Sequence, residues 1–144
     1  MLKGRIVIAL VAVFAIIGAG CSGDTETTTT GGGATGDDVV FGEGTLPETI
    51  PTEFPLPTGS AIGSTMVVGQ TGFTEVIVRI SAEQGIAAEF FSQGLAQNGF
   101  TVERSEADGE GWAIEFSDDA AKGTIDVTEP VEGVSQAVIR YNVP

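Results

Sequence analysis

The side chains best able to do chemistry in this 144-residue chain are its carboxylates. Glu106, Asp108 and Glu110 alternate within one short stretch, and Asp118-Asp119 follow soon after. Hard cations such as Ca²⁺ gather several oxygen ligands from such clusters. The spacing does not match an EF-hand loop, however, and Gly109 and Gly111 suit an ordinary hairpin turn. Paired carboxylates can also hydrolyse glycosides, given a cleft and one acid of raised pKa. These acids fall in turns or on a solvated strand face, where carboxylates stay ionised. Histidine, the commonest general base and metal ligand, is absent. No nucleophile elbow, phosphate-binding loop or dinucleotide fingerprint occurs. The expectation is a chain that is not an enzyme, with no catalytic residue, metal or cofactor.

Cys21 is the only cysteine, so no disulfide can form within the chain and the fold must hold by its core. It follows a basic start (Lys3, Arg5), an apolar run from Ile6 to Ile17, and Gly18-Ala19-Gly20. The run has the length of a signal-peptide core, roughly 7–15 residues, and is shorter than the roughly 18 a membrane-spanning helix needs. Arg5 stands alone, so the twin-arginine route is not indicated. Ala19, Gly20 and Cys21 match the last three places of the lipobox, with Gly18 where Leu is usual. In this respect residues 1–22 resemble the signal peptide of bacterial lipoproteins. The resemblance implies cleavage before Cys21, lipidation of its sulfur, and a domain held at a membrane or cell envelope facing outside the cytoplasm. A diacylglycerol supplies the two chains that stable anchoring requires. Committing the thiol to lipid also excludes Cys–His catalysis and Cys/His zinc sites. Two other readings of these residues stay open: a free thiol beyond an ordinary cleavage site, and an uncleaved short membrane anchor. Both leave the C-terminal part outside the cytoplasm.

Removing residues 1–20 takes away Lys3 and Arg5 and no acid, leaving four basic against twenty acidic residues, a net charge of −16. Nucleic-acid binding rests on clustered Lys and Arg against phosphate, so no nucleic-acid partner is expected. Attraction to an anionic bilayer is excluded on the same ground. The expected partners are the membrane, through the lipid anchor, and an envelope protein.

Residues 21–46 carry the lipidated cysteine and a Thr/Gly/acidic stretch that buries too little surface to offset its ordering entropy, so it is expected as a flexible linker. Residues 47–60 form a proline-rich strap. Pro51, Pro55 and Pro57 favour an extended polyproline-like path, while Phe54 and Leu56 are apolar enough to lie along the domain and cap an edge of its core. A small α+β domain is expected from 61 to 144.

Within that domain Ala61–Val68 reads as a strand. Residues 74–80 alternate, with Val76, Val78 and Ile80 on one face and Glu75, Ile77 and Arg79 on the other. The two should pair as a hairpin through Gly69–Gly72. Ser81 and Gln84 form a capping-box pattern that opens a helix running to about Asn98. Its stripe is Ala87, Phe90, Phe91 and Leu95, and on this reading Phe90→Ala should cost about 3–5 kcal/mol. Gly94, beside the stripe, suggests close approach to the sheet. Four further strands follow. Their inward residues are Phe100 and Val102; Trp112, Ile114 and Phe116; Ile125 and Val127; and Ala137, Ile139, Tyr141 and Val143. A last turn is expected at Pro130–Gly133. The order β-β-α-β-β-β-β with one wet face predicts a two-layer α+β sandwich, an antiparallel sheet covered on one face by a single helix.

Two surfaces are candidates for function. Ile77 and Val138 lie among Arg79 and Arg140 on the wet face, either a field of cross-strand charge pairs or a protein-docking face. Phe90, Phe91, Trp112 and Phe116 are either core or the lining of a site for a small apolar ligand between helix and sheet. The expected role is a non-enzymatic protein-binding or envelope-assembly domain, with a carrier or sensor of an apolar ligand as the alternative.

Overall fold

A computed structural model of the chain describes residues 38–143. The expected leader, Cys21 and the expected linker as far as residue 37 lie outside them. The elements are β1 (Val39–Glu43), β2 (Ala61–Val68), β3 (Phe73–Ile80), α1 (Gln84–Gln97), β4 (Thr101–Asp108), β5 (Gly111–Ser117), β6 (Lys122–Val131) and β7 (Val134–Asn142). They form one seven-stranded sheet in the order β1-β2-β3-β7-β6-β5-β4, with every neighbouring pair antiparallel. The α+β architecture, with a single helix packed on one face, is as the alternation predicts. One strand is additional. β1 pairs with β2 through Phe41↔Met66, where a flexible linker was expected, so the ordered fold begins well before residue 61.

Alternation decides the inner face. Thr74, Val76, Val78 and Ile80 of β3 and Ser135, Ala137, Ile139 and Tyr141 of β7 are all buried. Val143 is 36% exposed, beyond the end of β7, and does not join them. The buried hydroxyls are satisfied: Ser135 donates to the Ala82 carbonyl at 2.7 Å, and Thr74 shares a 2.6 Å bond with Thr49.

The helix covers β4, β5, β6 and β7. Its buried residues are Ala87, Ala88, Phe91 and Leu95. Phe90 is 38% exposed and is not part of the core stripe expected of it. Both sets fit a 3.6-residue period; the helix is turned so that Ala88 rather than Phe90 meets the sheet. Its C-terminus closes by a bond from the Phe100 N–H to the Leu95 carbonyl at 3.0 Å, with Gly99 at φ +90°. This is a Schellman closure, and the two joined residues are both buried.

The helix N-terminus differs from the expected capping box. Ser81 makes no cap, and the Gln84 N–H donates instead to Glu129 Oε2 at 2.9 Å, 45 residues away. Glu129 can reach because β6 bulges there: Thr128 pairs with Gln136, but the next pair is Val131↔Val134. Such a bulge re-aims a side chain and tolerates Pro130 within the strand. The last turn is therefore only Glu132-Gly133 rather than the four residues expected. A carboxylate at this end also complements the helix dipole.

The strap is a set of turns instead of an extended polyproline path. Pro47, Pro51 and Pro57 each open one, closed by the N–H of Ile50, Phe54 and Ser60 at 3.0, 3.0 and 3.1 Å. Ile50 and Phe54 are buried. Phe54 inserts among Phe91, Phe100 and Phe116, with ring centroids 6.5, 6.0 and 5.7 Å away. Burying such a ring stabilises the fold by about 1.5–3 kcal/mol. The close approach at Gly94 is to this strap and not to the sheet: a Cβ there would lie 2.8 Å from Pro55 Cβ.

Candidate protein-docking face

Among the described residues no helix lies over the outer face of the sheet, and its side chains follow from strand register. Ile77 stands directly opposite Val138, and Glu75 opposite Arg140. All four expected docking residues (Ile77, Arg79, Val138 and Arg140) therefore lie on this one face, on adjacent strands. Ile77 and Val138 are half-buried and Arg79 is exposed.

Arg140 is engaged. Its Nε donates to Glu75 Oε2 at 2.9 Å and its guanidinium also bonds Asp126 Oδ2 at 2.5 Å. Partial burial works against its charge, and the hydrogen bonds and charges of Asp126 and Glu75 outweigh that, raising its pKa above the ordinary arginine value. A second cluster continues outward: Arg104 pairs with Glu106 and Glu115, each at 2.9 Å. A bulge between Val102 and Arg104 sets both Glu103 and Arg104 against Glu115 and Ser117. Arg79 takes part in none of these ion pairs.

The other half of the face is apolar. Register places Phe41, Met66, Val68 and Phe73 on the same side as Ile77 and Val138. Phe41 is 75% exposed. Sequence reasoning missed this extension. The signal was present in Met66-Val67-Val68, a run too apolar for a strand with one wet face, and in Val39-Val40-Phe41 breaking a Gly/Thr/acid stretch.

Between the halves a shallow depression of about 530 Å³ is lined in part by Phe73, Glu103, Glu115, Lys122, Thr124 and Arg140. It is open, with an apolar floor and both signs of charge on its rim. Beneath it Phe116 and Tyr141 stack across Gly123, with centroids 6.2 Å apart and planes 16° from parallel.

The four expected apolar-ligand residues do not share one lining. Phe91 and Phe116 are sealed in the core at 0% and 1% exposure, with Phe54 packed against both. Phe90 stands at the surface. Trp112 lines a separate groove with Glu89, Ser92, Gln93 and Ser105, and its indole N–H donates to Ser105 Oγ at 3.0 Å.

Two of the acids that could do chemistry are used in structure, Glu106 in its pair with Arg104 and Asp118 in a turn. Asp118 Oδ1 accepts from the N–H groups of Ala120 and Ala121 at 2.8 and 2.7 Å, and Oδ2 accepts from the Tyr141 hydroxyl at 2.6 Å. Burial pushes the Asp118 carboxyl up; the three hydrogen bonds outweigh that and hold it below the ordinary carboxylate value. Burial, then the bond to Asp118, raise the Tyr141 pKa well above that of a free phenol. Glu129 is lowered by the N–H groups of Gln84 and Gly133. Among the described residues no group of three or more His, Cys, Asp or Glu is placed to hold a metal ion, and no helix is long and apolar enough to cross a membrane. No protein-family model, no curated protein and no solved structure matches the chain.

Proposed function

We propose that this chain is a membrane-anchored extracytoplasmic lipoprotein whose domain binds a protein through the outer face of its sheet. The domain is non-enzymatic and serves as an adaptor or assembly element of the cell envelope. The observation that carries the reading is the outer face, uncovered among the described residues, where an apolar field (Phe41, Met66, Val68, Phe73, Ile77, Val138) borders the Arg140 ion-pair cluster. Contiguous exposed apolar surface rimmed by charge is the pattern of a recognition surface. The Ala19-Gly20-Cys21 motif supports the anchor.

Two measurements test the two parts separately. Intact mass of the membrane-extracted protein should show loss of residues 1–20 and added acyl mass on Cys21; an unmodified Cys21 overturns the anchor. A photo-crosslinking residue at Ile77, used in intact cells, should capture one discrete partner, and the adduct should vanish when Val138→Asp is added. The same probe at Ile86, which is 60% exposed on the helix, should capture none. Equal capture at both positions overturns the docking face.

A further inference from the structure

We infer that the edge of β1 that pairs with no described strand is a self-pairing surface: two copies of this chain join through Val39–Glu43, antiparallel and two-fold symmetric about Phe41, so that one sheet continues into the next. This concerns the edge of the sheet, and it stands whether or not Cys21 is lipidated.

The direction of the backbone groups is the first argument. The Gly69 N–H donates to the Asp38 carbonyl at 2.9 Å, and the Gly44 N–H to the Gly63 carbonyl at 3.2 Å. With Val40 opposite Val67 and Gly42 opposite Thr65, the even-numbered residues turn their polar groups toward β2. Antiparallel ladders alternate, so Val39, Phe41 and Glu43 turn theirs to the open side. A free row of this kind is a template for another strand.

Contrast with the opposite edge is the second argument. β4 carries Glu103, Arg104, Glu106 and Asp108 and a bulge, the usual protections against edge pairing. β1 is Val39-Val40-Phe41-Gly42-Glu43, with its one charge at the end.

Register supplies the third. Centred on Phe41, the pairing sets Phe41 against its symmetry mate, Val39 against Glu43 of the copy, and Val40 against Gly42 of the copy. Val40 is 58% exposed, and the bare Gly42 leaves room for it. A Cβ at Gly42 would lie 2.9 Å from Thr65 Oγ1, so a side chain there would force Thr65 to shift. Asp38 and Glu43 face Gly44 and Val39 of the copy, so no acid meets an acid. In a chain of net charge −14 that is a demanding condition. The acids of β4 lie at the far end of both sheets, about six strand spacings of ~4.8 Å from the joint and well beyond the ~8–10 Å screening length.

The test uses the full chain carrying Phe41→Cys. Opposed residues in a hydrogen-bonded pair have Cα atoms about 5.5 Å apart, within disulfide range. Mild oxidation in membranes should convert most of the chain to a covalent dimer, well above the wild-type chain, which reports any background from Cys21. Glu132→Cys, at the β6–β7 turn, should stay at background. A second variant, Phe41→Pro, removes an N–H that faces away from β2 and so leaves the ladder to β2 intact. It should keep the wild-type melting temperature and lower the dimer fraction of the detergent-solubilised protein at least tenfold. A monomer at all concentrations, crosslinking of Phe41→Cys no greater than of Glu132→Cys, or a probe at position 41 quenched by lipid instead of by a second copy would each overturn the inference.

Discussion

The two faces of the sheet are built from the same strands by the same alternation, yet they meet different surroundings. The inner face is closed by two unlike covers, a helix over β4–β7 and a strap of turns that inserts Phe54. The outer face has no such cover among the described residues, and it divides into an ion-paired half and an apolar half. Burial on the inner face makes its residues matter for stability; the outer face is free to be shaped by what it touches. The same split separates the two edge strands, one charged and bulged, the other apolar.

The sharpest way to break this comparison uses two adjacent residues of one type. Phe91 is 0% exposed and Phe90 is 38% exposed. Phe91→Ala should cost about 3–5 kcal/mol, as a core aromatic does. Phe90→Ala should cost much less, about 1 kcal/mol, because most of what it loses is an edge-on contact with Phe91, 5.8 Å away. Chemical denaturation of the two variants decides it; equal losses would mean the helix is not rotated as described. Phe54→Ala should resemble Phe91→Ala, since the strap belongs to the core.

The helix rotation also shows where sequence reading stops. Alternation located six of the seven strands and assigned nearly every inner residue of β3, β6 and β7, because period 2 admits only two faces. The helix stripe was harder: residues 87, 90, 91 and 95 and residues 87, 88, 91 and 95 satisfy the same period. What selects the second is packing against the sheet and the strap, neither of them local. The capping box failed for the same reason, since Glu129 arrives from a bulge 45 residues away. Strand β1 is a five-residue edge strand whose ladder partner is β2, and no local pattern announces that partner. For the docking face, Ile77, Arg79, Val138 and Arg140 were legible from alternation alone, whereas Phe41, Met66 and Val68 required knowing that β1 exists.

A smaller effect is expected at Gly123, where the two faces nearly touch. A Cβ there would meet the Phe116 ring and lie 2.7 Å from the Arg140 carbonyl. Gly123→Ala should destabilise by about 1–3 kcal/mol through overpacking. It should also disturb the outer depression, because Arg140 is displaced together with the core ring. A thermal melt, with spectroscopy of Tyr141 as the local reporter, checks both.

Acid should loosen the joints between elements that Asp118 and Glu129 hold. Asp118 and Glu129 have folded-state pKa values below their ordinary 3.8 and 4.5. Each therefore contributes stability that is complete above its unfolded value and is lost as pH falls through the folded one. Denaturation midpoints should be flat near neutrality and fall below about pH 4.5. Asp118→Asn should flatten the lower part of that limb. Tyr141 has the opposite sign: its raised pKa adds stability below pH 10 that is lost on further alkalinisation.

The smallest expected effects on stability are on the outer face, and there the comparison is decided by function. Arg140 and its partners are substantially exposed, and such ion pairs contribute about 0–1 kcal/mol. Arg140→Ala and Ile77→Asp should each leave the melting curve close to wild type. If the outer face exists to be touched, Ile77→Asp should nevertheless abolish capture of the partner in cells by a photo-crosslinking residue placed at Val138, since it sets a carboxylate directly opposite that position in the apolar half. Arg140→Ala should weaken crosslinking less, because it removes a cation already neutralised by Glu75 and Asp126 and leaves the apolar field whole. A large loss of stability in either variant would show that the outer face holds the fold together, and the distinction between the two faces would fail.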